Sequence, residues 1–256
     1  MKKFWVILKA VAIVVALLAV KSVIDYYTLD VIVPSPVITA LVAGVIFTMA
    51  AIFTGVLADY KESEKIPGEL AATIRNLYKD IRVATVIHKD LTRDMHEHIR
   101  ELLTVMNANF RCNEWKLREI NPAIDQIDDD IEHLAADGIA PAFITKIRSE
   151  MSNLEKLSYR IDTIMETSFL PSAYIIAIIA NASVILTLMF TKMDPYYEAL
   201  TLFSSIAFVL VGILLLINDM DNPFEWGGKS SADIDLSILF KLEEQLRGGS
   251  AKNLPN

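Results

Sequence analysis

The sequence predicts an all-α membrane protein: four transmembrane helices, with a cytoplasmic helical domain inserted between the second and third. Three observations lead there. Hydrophobic residues make up 53% of the 256-residue chain and mean hydropathy is +0.39, above the usual soluble range. The excess is concentrated in apolar runs long enough to cross a hydrocarbon core of about 30 Å. The charged residues, 22% of the chain, fall between and after those runs, and the long polar stretch repeats its apolar residues at helical spacing.

The first span is placed at 4–24. Met1-Lys2-Lys3 leads into an apolar run that only Lys9 interrupts before Lys21. A positive start with Ala16 and Ala19 also fits a secretory signal peptide, but Lys9 breaks a short signal core, whereas in a retained helix it snorkels to the headgroups. Pro34 and Pro36 then enforce extended backbone before the second span, 37–58. Its small and hydroxyl residues, Ala43, Gly44, Thr48, Ala50, Ala51, Thr54 and Gly55, allow close helix approach and mark it as an inner helix.

The cytoplasmic helical domain is placed at 59–169. Leu70, Ile74, Leu77, Ile81, Ala84, Leu91, Met95, Ile99 and Leu102 recur at helical spacing, which predicts one long amphipathic helix running on from the second span. Pro67-Gly68 marks a kink or break at its start. Asn121-Pro122 predicts a cap followed by proline at the first helical position, with Gly138 closing that helix, and Pro141 opens the next. The third span is placed at 170–191 and the fourth at 199–218, leaving 219–256 as a junction and an amphipathic tail helix with a frayed end. With the N-terminus inside, Lys2, Lys3, Lys61, Lys65, Arg160 and Lys229 lie on one side and only Lys21 and Lys192 opposite. That asymmetry puts both termini and the helical domain in the cytoplasm.

A net charge of −8 and a pI near 5.1 argue against a nucleic-acid partner, and one cysteine, Cys112, excludes an intramolecular disulfide. No P-loop, nucleophile elbow, His-Glu-x-x-His pair or cysteine ligand cluster is present, so the chain is not expected to be an enzyme. His88 and His98 lie beside the apolar stripe, where a helix interface accounts for them more readily than a metal does. Asp125, Asp128, Asp129, Asp130 and Glu132 lack the alternation of an EF-hand and read as a solvated helix face. In the second span Val45, Met49 and Phe53 recur every four residues, with Ile46 and Ile52 adjoining, and a ring of them from several subunits would make an apolar constriction. Ordinary packing explains the same spacing. Four packed helices leave no central hole, so conduction requires a homo-oligomer. The competing reading is a membrane-anchored helical scaffold or sensor whose cytoplasmic domain binds a protein partner.

The fourth span ends in Asp219-Met220-Asp221-Asn222-Pro223-Phe224, although a helix C-terminus prefers cations to carboxylates. Beyond it come Asp233-Ile234-Asp235-Leu236 and the tail from Ile238 to Leu246. The Asn-Pro-Phe motif, the acidic stretch and the following helix resemble bestrophin channels, and together with Ala58-Asp59-Tyr60 and the order of elements they resemble the bestrophin-like domain family of bacterial membrane proteins. The resemblance implies a homopentameric, passive channel of the bacterial inner membrane for small ions such as chloride, with the second helix lining the pore and Val45, Met49 and Phe53 in its neck. Channels of this kind are anion-conducting in the animal family and of variable selectivity in bacteria. It implies that Asp219, Asp221, Asn222, Pro223 and Phe224 form a junction from which the tail wraps a neighbouring subunit or its own helical domain. In calcium-gated bestrophins the acids follow Asn-Pro-Phe almost at once. Here only Glu225 does, and Asp233 and Asp235 follow an insert with Gly227-Gly228, so these three are weak calcium candidates and no cofactor is assigned.

Overall fold

The structure, a computed structural model, describes residues 4–84, 89–166, 171–221, 223–227 and 232–248. Expectations attached to Lys2, Lys3, His88, Leu170, Asn222, Gly228, Lys229 and the tail beyond Gly248 lie outside the described residues. The described chain is helical: α1 (Trp5–Tyr26), α2 (Pro36–Ser63), α3 (Ile66–Ala84), α4 (Lys89–Arg111), α5 (Leu117–Ala136), α6 (Pro141–Glu166), α7 (Pro171–Met189), α8 (Tyr196–Met220) and α9 (Ser237–Arg247). Four stretches are long and apolar enough to cross a membrane, those in α1, α7 and α8 and the one that begins at Pro36, and they make this a multi-pass membrane protein. Two compact units share the chain.

The first unit takes Met1–Lys61, Ser168–Pro223 and Gly228–Asp233. In it α1 packs along α8, and α7 also packs on α8. The contact faces carry small residues, Ala10 on α1, Ala177 on α7 and Ala199 and Ala207 on α8, all buried. In lipid such residues let helix backbones approach where no hydrophobic effect drives them together. Val14, Val184, Leu188, Phe203, Leu210 and Ile217 complete the core. Outward-facing Ile7, Leu8, Val11, Ile175, Ile176 and Ile179 stay exposed, as a lipid-facing surface requires.

One end of this unit is tied by backbone. Ile32 N–H donates to Phe190 O at 3.0 Å and Lys192 N–H donates to Ile32 O at 2.8 Å, which joins the α1–α2 link to the α7–α8 link. Lys21, fully buried, donates to Asp25 Oδ1 at 2.6 Å and to Thr191 O at 2.9 Å. Its ammonium sits where α7 ends and loose carbonyls carry partial negative charge.

The second unit takes Glu62–Thr167, Phe224–Gly227 and Ile234–Asn256. Around it α3 packs on α4 and α6, and α5 packs on α4 and α6, closing a four-helix ring. The buried stripes meet inside it: Leu70, Ile74 and Ile81; Met95, Ile99 and Met106; Ile120, Ile127 and Ile131; Ile147, Leu154 and Ile161. Leu239, Leu242 and Leu246 seat α9 over α3 and α4. Two local expectations are corrected. The predicted single helix across Leu70 to Leu102 is two helices, and α4 doubles back so that Arg100 Nη2 donates to the Tyr78 hydroxyl at 3.0 Å. One helix of that length would leave half its stripe without a partner, whereas folding it back lets each half cover the other. The helix predicted to begin at Pro122 begins at Leu117 instead, with Pro122 inside it. Its first turn is held from outside, because Asn109 Oδ1 accepts the Lys116 N–H at 2.9 Å and Trp115 Nε1 donates to Ser158 O at 3.0 Å.

Candidate functional site

In the second span, Pro36 starts α2, where a missing N–H costs nothing. Thr48 and Thr54 donate back to Gly44 O at 2.9 Å and Ala50 O at 2.8 Å, so their hydroxyls need no partner outside the helix. Val45, Met49 and Val56 form one buried stripe in the core of the first unit, and Ile46, Ile52 and Phe53 pack half-buried against its edge. A side chain that lines a water path must face water, and Met49 is 0% exposed. Val45 and Met49 face the core of their own subunit. Their four-residue spacing gave them a common face without saying what that face meets.

The opposite face of α2 is open. Ala40, Phe47, Ala51, Thr54 and Ala58 lie on it and are exposed, flanked by Gly44 and Gly55, and Phe47 is 76% exposed. A Cβ built at either glycine meets nothing within 4 Å. Phe47 is the one bulky residue on that stripe.

At the end of α8, the Tyr174 hydroxyl donates to Asn218 Oδ1 at 3.4 Å, and neither Asp219 nor Asp221 lacks an interaction partner. Pro223 closes the first unit, and Phe224 begins the segment assigned to the second. Phe224 is fully buried, 6.0 Å between ring centres from Phe110, which lies 4.7 Å from Trp115. Trp226 N–H donates to Asn113 Oδ1, its ring meets Phe240 edge-on at 4.5 Å, and Arg111 lies over Phe240 at 4.7 Å. The tail thus packs on its own chain's helical unit.

Of the weak calcium candidates, Glu225 is exposed and Asp235 accepts the Ser237 N–H at 2.9 Å as α9 begins. That hydrogen bond holds the Asp235 carboxyl below the usual carboxylate range. Asp233 has its own interaction partner. Among the described residues no group of three or more His, Cys, Asp or Glu side chains is placed to hold a metal. The acidic face of α5 is largely solvated, with Asp125, Asp129 and Glu132 exposed, while Asp130 Oδ2 meets His98 Nδ1 at 2.6 Å and Glu132 lies 3.9 Å from Arg148. Burial first, and then Asp125, Glu132 and Asp129, raise the Asp128 carboxyl, with Arg148 opposing.

Several polar residues carry weight that periodicity does not reveal. Glu243, buried on α9, accepts from Asn107 Nδ2 at 2.8 Å and pairs with Arg247 at 2.9 Å and Arg111 at 3.3 Å. Asn181, buried in α7, donates to Leu210 O of α8 at 3.2 Å. The signal available in sequence is a polar residue inside an apolar stripe, Glu243 between Leu239 and Leu246 and Asn181 between Ala177 and Val184.

No protein-family model matches the chain, and no curated protein matches it in sequence. Solved structures do match. A bacterial bestrophin homologue from Klebsiella pneumoniae superposes with a TM-score of 0.78 at 12% identity, over 97% of this chain and 100% of that one. A point variant of that homologue gives 0.75 at 13% identity, over 96% and 100%. A crystal structure of a membrane protein gives 0.78 at 12% identity, over 96% and 99%. Similarity of this kind, nearly end to end at so low an identity, is similarity of fold, and the fold of this chain is that of the bacterial bestrophin homologues.

Proposed function

We propose that this protein is a homopentameric, passive, anion-conducting channel of bestrophin type in the bacterial cytoplasmic membrane, with both termini and the second unit cytoplasmic. The observation that carries this reading is the open face of α2. A spanning helix that turns its large apolar residues to its own subunit and presents Ala40, Phe47, Ala51, Thr54 and Ala58 outward has reserved that side for other subunits and a shared axis. Phe47 would form the apolar constriction, the role first expected of Met49. Phe53, half-buried at the edge of the core, would adjoin it. The bestrophin-like fold supports the same reading, as does the lysine and arginine asymmetry.

Reconstitution into liposomes tests it. A chloride gradient should drive current that reverses near the chloride equilibrium potential, and Phe47→Ala should raise the flux. Vesicles that stay sealed at every voltage and salt would overturn the proposal. The scaffold reading draws on the separate core of the second unit. A dimer, or another assembly without an axial path, would favour it.

A further inference from the structure

The end of the first unit where α1 and α7 finish and α2 and α8 begin holds a cavity of about 470 Å³, within the about 300–1,000 Å³ range of small-molecule sites. Val33, Pro34, Met193 and Leu202 supply its apolar wall. Lys192, Asp194 and Glu198 supply one cation and two carboxylates, all exposed. The wall is fixed and not a chance fold of two loops. The paired backbone bonds of Ile32 with Phe190 and Lys192 set the two links side by side, and the buried ammonium of Lys21 pins Thr191 from behind.

Depth in the membrane is marked independently. Tyr26 and Tyr27 at the end of α1, and Tyr196 and Tyr197 at the start of α8, are exposed at 82%, 66%, 43% and 81%. Exposed tyrosines gathered at one end of a spanning bundle sit at headgroup level, and the Tyr196 hydroxyl donates to Ser22 Oγ at 3.1 Å, which ties the start of α8 to α1 there. The cavity is bounded by the same two links, so what reaches it is the polar end of a lipid.

We infer that this cavity seats the headgroup of a zwitterionic aminophospholipid, its phosphate on Lys192 and its ammonium on Glu198 and Asp194. Two carboxylates against one ammonium disfavour an anionic headgroup. A primary ammonium donates hydrogen bonds to carboxylates, which the quaternary ammonium of choline cannot do. Leu202, 53% exposed on α8, continues the apolar wall from the cavity onto the lipid-facing surface, where an acyl chain would lie. The inference rests on the membrane-spanning reading of this unit and not on conduction.

The test uses the full-length protein extracted from vesicles of equal phosphatidylethanolamine, phosphatidylcholine and phosphatidylglycerol with matched chains, with retained lipid counted by native mass spectrometry. Phosphatidylethanolamine should be retained about fivefold over either of the other two lipids. Lys192→Gln and Glu198→Gln should each return the ratio to that of the vesicle, and Lys192→Arg should keep the enrichment. Soluble phosphoethanolamine, which has no chains to lay on Leu202, should not displace the lipid. Equal retention of the ethanolamine and choline lipids, or enrichment unchanged in both glutamine variants, would overturn the inference. So would displacement by phosphoethanolamine, which makes the occupant a free headgroup, or a change of subunit number in both variants, which makes the cavity a contact between copies.

Discussion

Lys21 shows how much one side chain can hold together at the end of a spanning bundle. Its ammonium is out of contact with solvent, and Asp25 and the carbonyl of Thr191 are the groups that make this tolerable. Truncating one member of a buried pair leaves the other charge uncompensated, which costs on the order of 3–5 kcal/mol. Lys21→Met should therefore lower the thermal unfolding temperature of the solubilised protein sharply, and Lys21→Met with Asp25→Leu should recover part of the loss. A single variant as stable as the parent would mean that the pair is incidental. Asp128 gives a prediction of opposite sign. Its carboxyl is raised by burial and by neighbouring acids, so the folded state binds its proton more tightly than the unfolded one. Stability from that group is greatest below the ordinary carboxylate pKa of about 4 and is lost as pH rises through the raised value. Asp128→Asn should raise the unfolding temperature at neutral pH and reduce the gain seen on acidification, a difference that a pH series of melting curves reads directly. The acidic neighbours of Asp128 stand beside it in sequence, but its burial, like that of Lys21, depends on the folded partners and is not written in the residue.

Among the elements, the apolar spans were plain from composition alone, since a run without charges that is long enough to cross a bilayer has few other uses. The break between α3 and α4 was not. The apolar stripe keeps its helical phase from Leu70 to Leu102, and only the β-branched run Thr85-Val86-Ile87 hints in sequence at a weak point. Periodicity reports that a face is buried without reporting how often the chain reverses to bury it. The same limit explains Val45 and Met49. The tail helix α9 illustrates what does hold an element in place: three leucines supply contact area, and Glu243 with Asn107, Arg111 and Arg247 fixes the register on α4. Glu243→Ala should cost about 1–3 kcal/mol, because it strands the buried Asn107 amide as well as removing a charge. Limited proteolysis should then cut the tail first. Glu243→Gln, which keeps the hydrogen bond from Asn107, should lose less, and equal losses for the two variants would show that charge alone sets the register.

For the whole molecule, the two faces of α2 differ in burial, and the proposed channel turns that difference into separate effects on stability and on flux. Met49 is fully buried in the core of the first unit, and Met→Ala at such a site costs about 2–5 kcal/mol through lost contacts and the cavity left behind. Phe47 is exposed on the opposite side, so removing its ring takes little from the fold of one subunit. If α2 stands at a shared axis, Met49→Ala should lower the unfolding temperature while leaving the conductance of surviving channels unchanged. Phe47→Ala should leave the unfolding temperature of the subunit nearly unchanged while raising the flux, because an apolar constriction that excludes water is widened by the loss of one ring per subunit. The crossed outcome, with conduction following Met49 and stability following Phe47, would mean that α2 rotates on assembly and that its buried stripe becomes the pore wall. A chain in which neither variant touches flux would remove α2 from the axis altogether, and with it the observation on which the channel reading stands.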